Sequence, residues 1–210
     1  MQIKSLPVGA LRTNCYIVGD EATGTCAILD PGAKADKIMA AVEETGFRPV
    51  MILLTHAHYD HVMAVPEVMR RTGAKLYLHR KDEWLLSCEE VLRYGTRIEK
   101  YAVPTVSGWL EEGQEIALGE TVFRVLHTPG HTAGSVTFLC GDAMFSGDTL
   151  FHIYCGRTDL ETGSMQDMMQ SLKKLGSLPG NYQVYPGHES FTSLDYERNY
   201  NSFLKDAMAR

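Results

Sequence analysis

The stretch Thr55-His56-Ala57-His58-Tyr59-Asp60-His61 puts three imidazoles and a carboxylate within six consecutive residues. Imidazole and carboxylate without thiolate is a donor set for Zn²⁺, with Fe and Mn as alternatives. The preceding run, Val50-Met51-Ile52-Leu53-Leu54, is aliphatic and uncharged and reads as a buried strand. A strand that ends in four candidate ligands places them at the carboxyl edge of a sheet, where α/β proteins gather ligands. His56 and His58, two residues apart on extended or turning backbone, can face one metal. Asp60 and His61 can face a second beside it, and Asp60 is also the candidate catalytic carboxylate.

Four donors cannot complete two tetrahedral or five-coordinate sites, so others must come from elsewhere in the chain. Three candidates follow expected strands. His131 lies in Thr128-Pro129-Gly130-His131-Thr132, on a Pro-Gly turn able to aim its ring inward. Asp148 lies in Ser146-Gly147-Asp148-Thr149 and has two oxygens with which to bridge two cations. His188 follows Tyr185-Pro186-Gly187, a second Pro-Gly turn. Of the other histidines, His79 precedes Arg80 and Lys81 and reads as surface or pocket rim, while His127 is placed to brace the His131 turn by hydrogen bonding. His152, with Tyr59 and Tyr154, is a candidate for contact with substrate. Asp30, before Pro31-Gly32, is expected to fix a loop behind the ligands.

The elements that must position these residues follow from periodicity. Strands are expected at 2–8, 14–19 and 25–29, then a helix over 34–45 with an apolar stripe at 35, 38, 39 and 42 and a stop at Gly46. After the 50–54 strand come a helix over 62–71 interrupted by Pro66, a strand at 75–79, and a helix over 82–88 with Trp84, Leu85 and Cys88 on one face. Residues 89–110 show no clean period and read as an irregular excursion beside the cleft. Strands are then expected at 115–118, 121–127, 135–140 and 143–145, followed by a loop at 151–163. Ser164 opens a helix with Met165, Met168, Met169, Leu172 and Leu175 along one face, and Asp167 completes an approximate capping box. A strand at 183–185 and a helix over 192–208, apolar at 196, 200, 203, 204, 207 and 208, close the chain. This order fits an α/β (α+β) chain in which two sheets pack together with helices outside, an αββα sandwich. No linker or low-complexity tract divides it, so residues 1–210 read as one domain.

Composition narrows the function. With 20 Lys and Arg against 26 Asp and Glu, the formal charge is −6, which argues against a nucleic-acid-binding surface. The five cysteines are widely spaced, with no C-x-x-C pair, a poor framework for disulfides or thiolate-bound zinc. No apolar run approaches the length of a membrane span, and the N-terminus lacks the apolar core of a signal peptide, so a cytoplasmic location is expected.

Together these residues resemble the metallo-β-lactamase-fold hydrolases, and within them the glyoxalase II-like (hydroxyacylglutathione hydrolase-like) branch. The resemblance rests on Thr55–His61, Thr128–Thr132, Ser146–Phe151, Gly156-Arg157-Thr158-Asp159 and Pro186-Gly187-His188, with Thr13-Asn14-Cys15-Tyr16 and Leu29-Asp30-Pro31-Gly32 earlier in the chain. It implies that His56, His58 and His131 hold one metal, Asp60, His61 and His188 the other, with Asp148 bridging. It also implies an Arg157–Asp159 pair in a structural loop, and a closing segment that includes Thr192, Glu197 and Asn201. Two bound Zn²⁺ ions, or Fe or Mn, would generate hydroxide from a water between them for attack on a carbonyl. A small-molecule thioester is the expected substrate, since a thiolate leaves with little protonation.

The chain departs from the family pattern in three places. Met63 and Ala64 stand where a glycine pair is usual, Ser202 follows Asn201 in place of proline, and the chain ends at Arg210 without room for the helical domain that grips glutathione in longer glyoxalase II enzymes. An iron-dependent persulfide dioxygenase and a lactone or phosphoester hydrolase are the alternatives on the same fold. A binding module that has lost turnover is the non-enzymatic alternative. Residues that select the substrate are expected in 85–110 and 151–163.

Overall fold

The computed structural model describes residues 1–98 and 101–210. In chain order, strands β1 (Gln2–Val8), β2 (Thr13–Asp20) and β3 (Thr25–Leu29) lead to helix α1 (Ala35–Thr45) and strand β4 (Arg48–Leu53). Helices α2 (Tyr59–Val62) and α3 (Val65–Thr72), strand β5 (Lys75–His79), a 3₁₀ helix (Arg80–Ser87), α4 (Glu89–Ile98) and β6 (Gly108–Leu110) complete the first half. The second half runs β7 (Glu115–Leu118), β8 (Thr121–His127), β9 (Val136–Cys140), β10 (Ala143–Gly147), α5 (Met165–Gly176), β11 (Gln183–Pro186), β12 (Thr192–Ser193), α6 (Leu194–Tyr200) and α7 (Ser202–Ala209). Among the described residues these strands form two six-stranded sheets, ordered β1-β2-β3-β4-β5-β6 and β12-β11-β10-β9-β8-β7. The expected αββα sandwich is the fold observed.

Alternation along the strands builds the layers. In β2, Tyr16 and Val18 face the opposite sheet while Cys15 and Ile17 face the helices; β3 divides Ala27 and Leu29 from Cys26 and Ile28 in the same way. From the second sheet, Phe123, Val125, Phe138 and Phe145 fill the space between the sheets, and Leu126, Leu139 and Met144 turn outward to α5 and α7. Both faces are therefore covered, which is why the central strands read as unbroken apolar runs.

Most departures from the expected elements have local causes. Pro66 opens α3 instead of breaking it, because the first helical turn needs no proline N–H. The expected 82–88 helix is a 3₁₀ segment starting at Arg80; Leu85 and Leu86 are buried and Trp84 is exposed. Its tighter winding changes which residues share a face. The 89–110 excursion is irregular only in part, since α4 and β6 lie in it while 101–107 hold neither helix nor strand; residues 99 and 100 of that segment fall outside the described residues. In α5 the Ser164 cap is present, its Oγ accepting from the Asp167 N–H at 3.2 Å, but Met165 lies in solvent ahead of the buried stripe.

The expected 192–208 helix is a short strand and two helices. Its break at Asn201 comes from a side chain that accepts from the N–H groups of Phe203 and Leu204, capping α7 and ending α6. Tyr196 and Tyr200, assigned to a continuous apolar face, are consequently exposed.

This closing segment secures a loop beside the functional edge. Buried Glu197 accepts from the Ile153 N–H at 2.8 Å, the Thr192 hydroxyl at 2.6 Å and the Asn201 amide at 2.9 Å, and Asn201 also donates to the Tyr154 carbonyl. Replacing Glu197 with alanine strands three donors without an acceptor. The expected outcome is a loss of about 3 kcal/mol, read as a fall of roughly 6–12 °C in the thermal midpoint by calorimetry.

Candidate metal centre

The candidate ligands occupy the ends of strands from both sheets. His56, His58, Asp60 and His61 follow β4; His131 lies between β8 and β9; Asp148 follows β10; His188 follows β11. Among the described residues, their donor atoms gather in overlapping groups: His56 with His58 and His131, His56 with His61 and Asp148, and Asp60 with His61 and His188. Asp148 stands between the outer trios. Its Oδ1 is 3.5 Å from His61 Nε2, and its Oδ2 is 3.4 Å from His131 Nε2 and 3.5 Å from His188 Nε2.

Second nitrogens are tied back. His61 Nδ1–H donates to Asp30 at 3.0 Å, His131 Nδ1–H to the Arg157 carbonyl at 2.7 Å, and His188 Nδ1–H to the Leu11 carbonyl at 3.1 Å. Because the Thr55 hydroxyl donates to Asp30 at 2.7 Å, its oxygen accepts from His56 Nδ1–H at 3.1 Å. Each of these rings thus turns Nε2 inward as a lone-pair donor. His58 presents Nδ1 instead, 2.8 Å from His131 Nε2. Buried His56 Nε2 and Asp148 Oδ1 have no hydrogen-bond partner, although both belong to one group of converging donors. Stranding two buried polar atoms is costly unless a cation completes them, so the residues fit metal at this position.

The two trios differ in their electrostatics. Burial and neighbouring imidazoles push His56 well below the usual histidine range and His58 down to about 3, leaving both neutral, the form that ligates. For His61, burial also acts downward, but Asp60, Asp148 and Asp30 outweigh it and raise the group to about 10, so that Nε2 carries a proton that a cation would have to displace. Burial raises Asp60, yet His61 and His188 more than compensate and hold it well below the usual carboxylate range. The Thr13 hydroxyl donates to Asp60 Oδ2 at 2.9 Å.

Glycines let this packing close. A Cβ on Gly187 would stand 2.1 Å from Asp148 Oδ1, and one on Gly156 would stand 1.9 Å from the Asp148 carbonyl oxygen. Neither position tolerates a side chain without displacing the carboxylate's own residue.

The family model described as the metallo-beta-lactamase superfamily matches residues 8–188. This chain belongs to that superfamily. It is 32% identical to the hydroxyacylglutathione hydrolase GloC of Haemophilus influenzae, covering 97% of this chain and 98% of that one. Among solved structures it is similar to the BLEG-1 B3 metallo-beta-lactamase, with a TM-score of 0.86, 32% identity and coverage of 97% and 99%. It is likewise similar to TTHA1623 in a di-iron-bound form, with a TM-score of 0.84, 36% identity and coverage of 95% and 99%. The chain is a metallo-hydrolase of a fold that binds a dinuclear metal centre in a histidine-rich site. Among the described residues, no helix is long and apolar enough to cross a membrane.

Several sequence expectations can be placed around this centre. Asp30 fixes the Thr55–His61 loop, accepting from the Thr55 N–H at 2.8 Å as well as from the contacts above. His127 braces the His131 turn through the Ala133 carbonyl, at 2.9 Å, and stacks on His79. Arg157 and Asp159 pair through two hydrogen bonds of 2.7 and 2.8 Å. Tyr59 stacks on Tyr94 of α4, with ring centroids 4.3 Å apart. Two clefts of about 360 Å³ lie beside the centre. One opens at His58 and takes in Leu85, Glu89, Glu90, Arg93, Leu160 and Glu161, residues of the 85–110 and 151–163 segments. The other opens at Asp60 and is lined by residues 9–11, 32–34, Tyr59 and Met63; of these, Tyr59 was the candidate for substrate contact. His152 and Tyr154 line neither cleft. Their rings turn to Tyr196 and Phe203, because the loop is drawn toward α6 and α7 by Glu197 and Asn201.

Asp82 is a further residue of the site that sequence reading passed over. Fully buried, Asp82 accepts from the Ala57 N–H at 3.2 Å, the Thr132 hydroxyl at 2.7 Å and the Gly134 N–H at 2.7 Å. It ties the residue between His56 and His58 to the loop that carries His131. The clue was a carboxylate just past a strand end, but a charged residue opening a predicted helix looked like a solvated first turn.

Burial raises Asp82 to about 6 against the lowering effect of its three donors. A folded-state value above the unfolded 3.8 means that its contribution to stability is present below pH 4 and is lost as pH rises through 6. The stability difference between the parent and Asp82→Asn should therefore shift against the parent between about pH 4 and 6, as measured by denaturant titration at each pH. A pH-independent difference would contradict this account of Asp82.

Proposed function

We propose that this chain is a thioester hydrolase of the hydroxyacylglutathione hydrolase type, acting as one domain on acylated small thiols. His56, His58 and His131 would hold one Zn²⁺, Asp60, His61 and His188 a second, with Asp148 between them. The observation that carries the reading is the convergence of these side chains around Asp148 with their outer nitrogens anchored. One-domain action is supported by the need for strand ends from both sheets, since neither half contains both trios. Iron is the alternative metal, supported by the similarity to TTHA1623 in its di-iron-bound form.

Bound metal supplies Lewis acidity, lowering the pKa of a water toward ~7 and polarising a carbonyl. The chain's own groups orient the reaction. Thr13 fixes the Asp60 carboxylate. A carboxylate beside a cation stays ionised at neutral pH and accepts protons poorly, so its part is to orient the attacking water. Burial raises the Tyr59 hydroxyl above its ordinary value, keeping it protonated in the wall of the cleft at Asp60 and able to donate to a substrate oxygen. Water adds its oxygen to the acyl carbon, the C–S bond breaks, and the sulfur leaves as thiol with the remaining proton. A thiolate is a good leaving group, which suits a centre whose titratable groups are engaged in holding one another.

Similarity to GloC supports the thioester over a lactone or phosphodiester, and GloC is matched over 98% of its own length. That relative therefore carries its printed activity on a chain of nearly the same extent. The test is turnover of a panel of thioesters, lactones and phosphodiesters together with metal analysis. Thioesters should be the best substrates, with two metal ions per chain. His131→Ala should lower thioester kcat/KM by at least about a thousandfold, the scale of losing several kcal/mol of electrophilic stabilisation, and reduce metal content toward one. Undiminished activity in that variant, or a phosphodiester as the best substrate, would sink the assignment.

A further inference from the structure

We propose that the cleft opening at Asp60 is the acyl subsite and that it selects an aliphatic acyl chain. The proposal rests on the thioester reading and deepens it. His58 and Asp60 belong to opposite trios and each lines its own cleft; Tyr59 lines the cleft at Asp60 and stacks on Tyr94 of α4, the helix whose Glu89, Glu90 and Arg93 line the other. A thioester with its carbonyl at the centre must send its acyl substituent into one cleft and its sulfur-bearing portion into the other.

The clefts differ in chemistry. Glu89, Glu90, Arg93 and Glu161 line the one at His58, where an alkyl chain would bury charged groups for little gain. Small thiol carriers are polar and charged, and their groups can stay hydrated against that wall. The cleft at Asp60 is lined by Ala10, Leu11, Ala33, Tyr59 and Met63, with Lys34 the cation among its described lining residues. Ala33 and Met63 are 5% and 3% exposed, so they form its floor, while Leu11, 53% exposed, stands free to fold over an occupant.

Gly32 brings this floor against the centre. A Cβ there would stand 1.7 Å from the Asp60 carbonyl oxygen, so the apolar wall begins directly at the backbone of that residue. An acyl chain entering this cleft would lie on Ala33 and Met63. The volume, about 360 Å³, lies at the lower end of small-molecule pockets and suits a short chain.

The experiment uses metal-loaded protein and one neutral carrier thiol, N-acetylcysteamine, bearing acetyl, butanoyl, hexanoyl, lactoyl or succinyl groups. kcat/KM should rise by about fourfold per added methylene from acetyl to hexanoyl, with lactoyl and succinyl below butanoyl. Binding of the unreactive ketone analogues, with CH₂ in place of sulfur, should follow the same order by calorimetry. Ala10→Phe, at an exposed position, fills the mouth, and Ala33→Leu fills the floor. Each should lower the hexanoyl-to-acetyl ratio at least about tenfold, the effect of excluding two or more methylenes. Coincident thermal melts show that the variants fold.

Hydrolysis that is flat across the acyl series, or a ratio unmoved in both variants, overturns the acyl subsite while leaving the thioester reading intact. Lactoyl or succinyl turned over faster than butanoyl overturns the aliphatic class. Loaded protein that hydrolyses none of the thioesters overturns the underlying reading, and the proposal with it.

Discussion

An imidazole has two nitrogens, and fixing one decides where the other points. Four of the five histidines at this centre have Nδ1 committed: His56 to Thr55, His61 to Asp30, His131 to the Arg157 carbonyl and His188 to the Leu11 carbonyl. Much of the surrounding structure exists to supply those four partners. Asp30 directly follows β3 and accepts hydrogen bonds from Thr55, two residues past the end of β4, so the parallel pairing of those strands sets the tautomers of His56 and His61 together. The Arg157 carbonyl lies in a loop held by the Arg157–Asp159 pair. The Leu11 carbonyl belongs to the turn between β1 and β2. Asp30, the Arg157 carbonyl and the Leu11 carbonyl lie on three separate segments, so no single loop movement can misorient the whole set.

The two sheets meet most directly through the 13–16 segment of β2. Thr13 donates to Asp60, and the Asn14 amide to the carbonyls of Pro186 and Glu189 at 3.1 and 3.0 Å. The Asn14 N–H donates to the Gly187 carbonyl at 2.7 Å, and the Tyr16 hydroxyl to Pro186. One strand of the first sheet thereby holds both Asp60 and the loop of the second sheet that carries His188. Tyr16 does this from the core between the sheets, packed edge-on against Phe145 at 5.2 Å. Packing of the sandwich and alignment of the second trio are the same contacts.

What could be read from the chain divides along physical lines. Strands buried on both faces carry dense apolar runs, and glycine or proline closes each one, so the αββα architecture and the strand-end positions of His131, Asp148 and His188 were legible. Asp30 was legible for a related reason, since a carboxylate between a strand and a Pro-Gly turn has few roles other than accepting local donors. Residues whose partners lie far away in sequence were not. Asp82 acts on Thr132 and Gly134, and Asn14 on Pro186, separations that leave no local pattern. The break at Asn201 was hidden because apolar spacing continued across it, while a side-chain cap chose a different backbone. Periodicity also misplaced Tyr196 and Tyr200, as a tyrosine satisfies an apolar pattern whether its ring is buried or lies in solvent.

The centre and the clefts answer to different constraints, and this explains why one was easier to foresee. A ligand set must converge within a few ångströms, so its residues are limited to a few types at strand ends, stiffened by neighbouring strands. A cleft needs only a shape and a polarity. The wall at His58 comes from the 3₁₀ segment, α4 and the 151–163 loop, and the wall at Asp60 from two turns and a short helix. Alanine, leucine and methionine in such places carry no mark of function in a sequence. They acquire one from standing against Asp60, and that position is set by Gly32, where the absence of a Cβ lets the 30–34 turn touch the backbone of a candidate ligand. The same glycine therefore serves both constraints: it closes the shell behind the second trio and begins the apolar wall beside it.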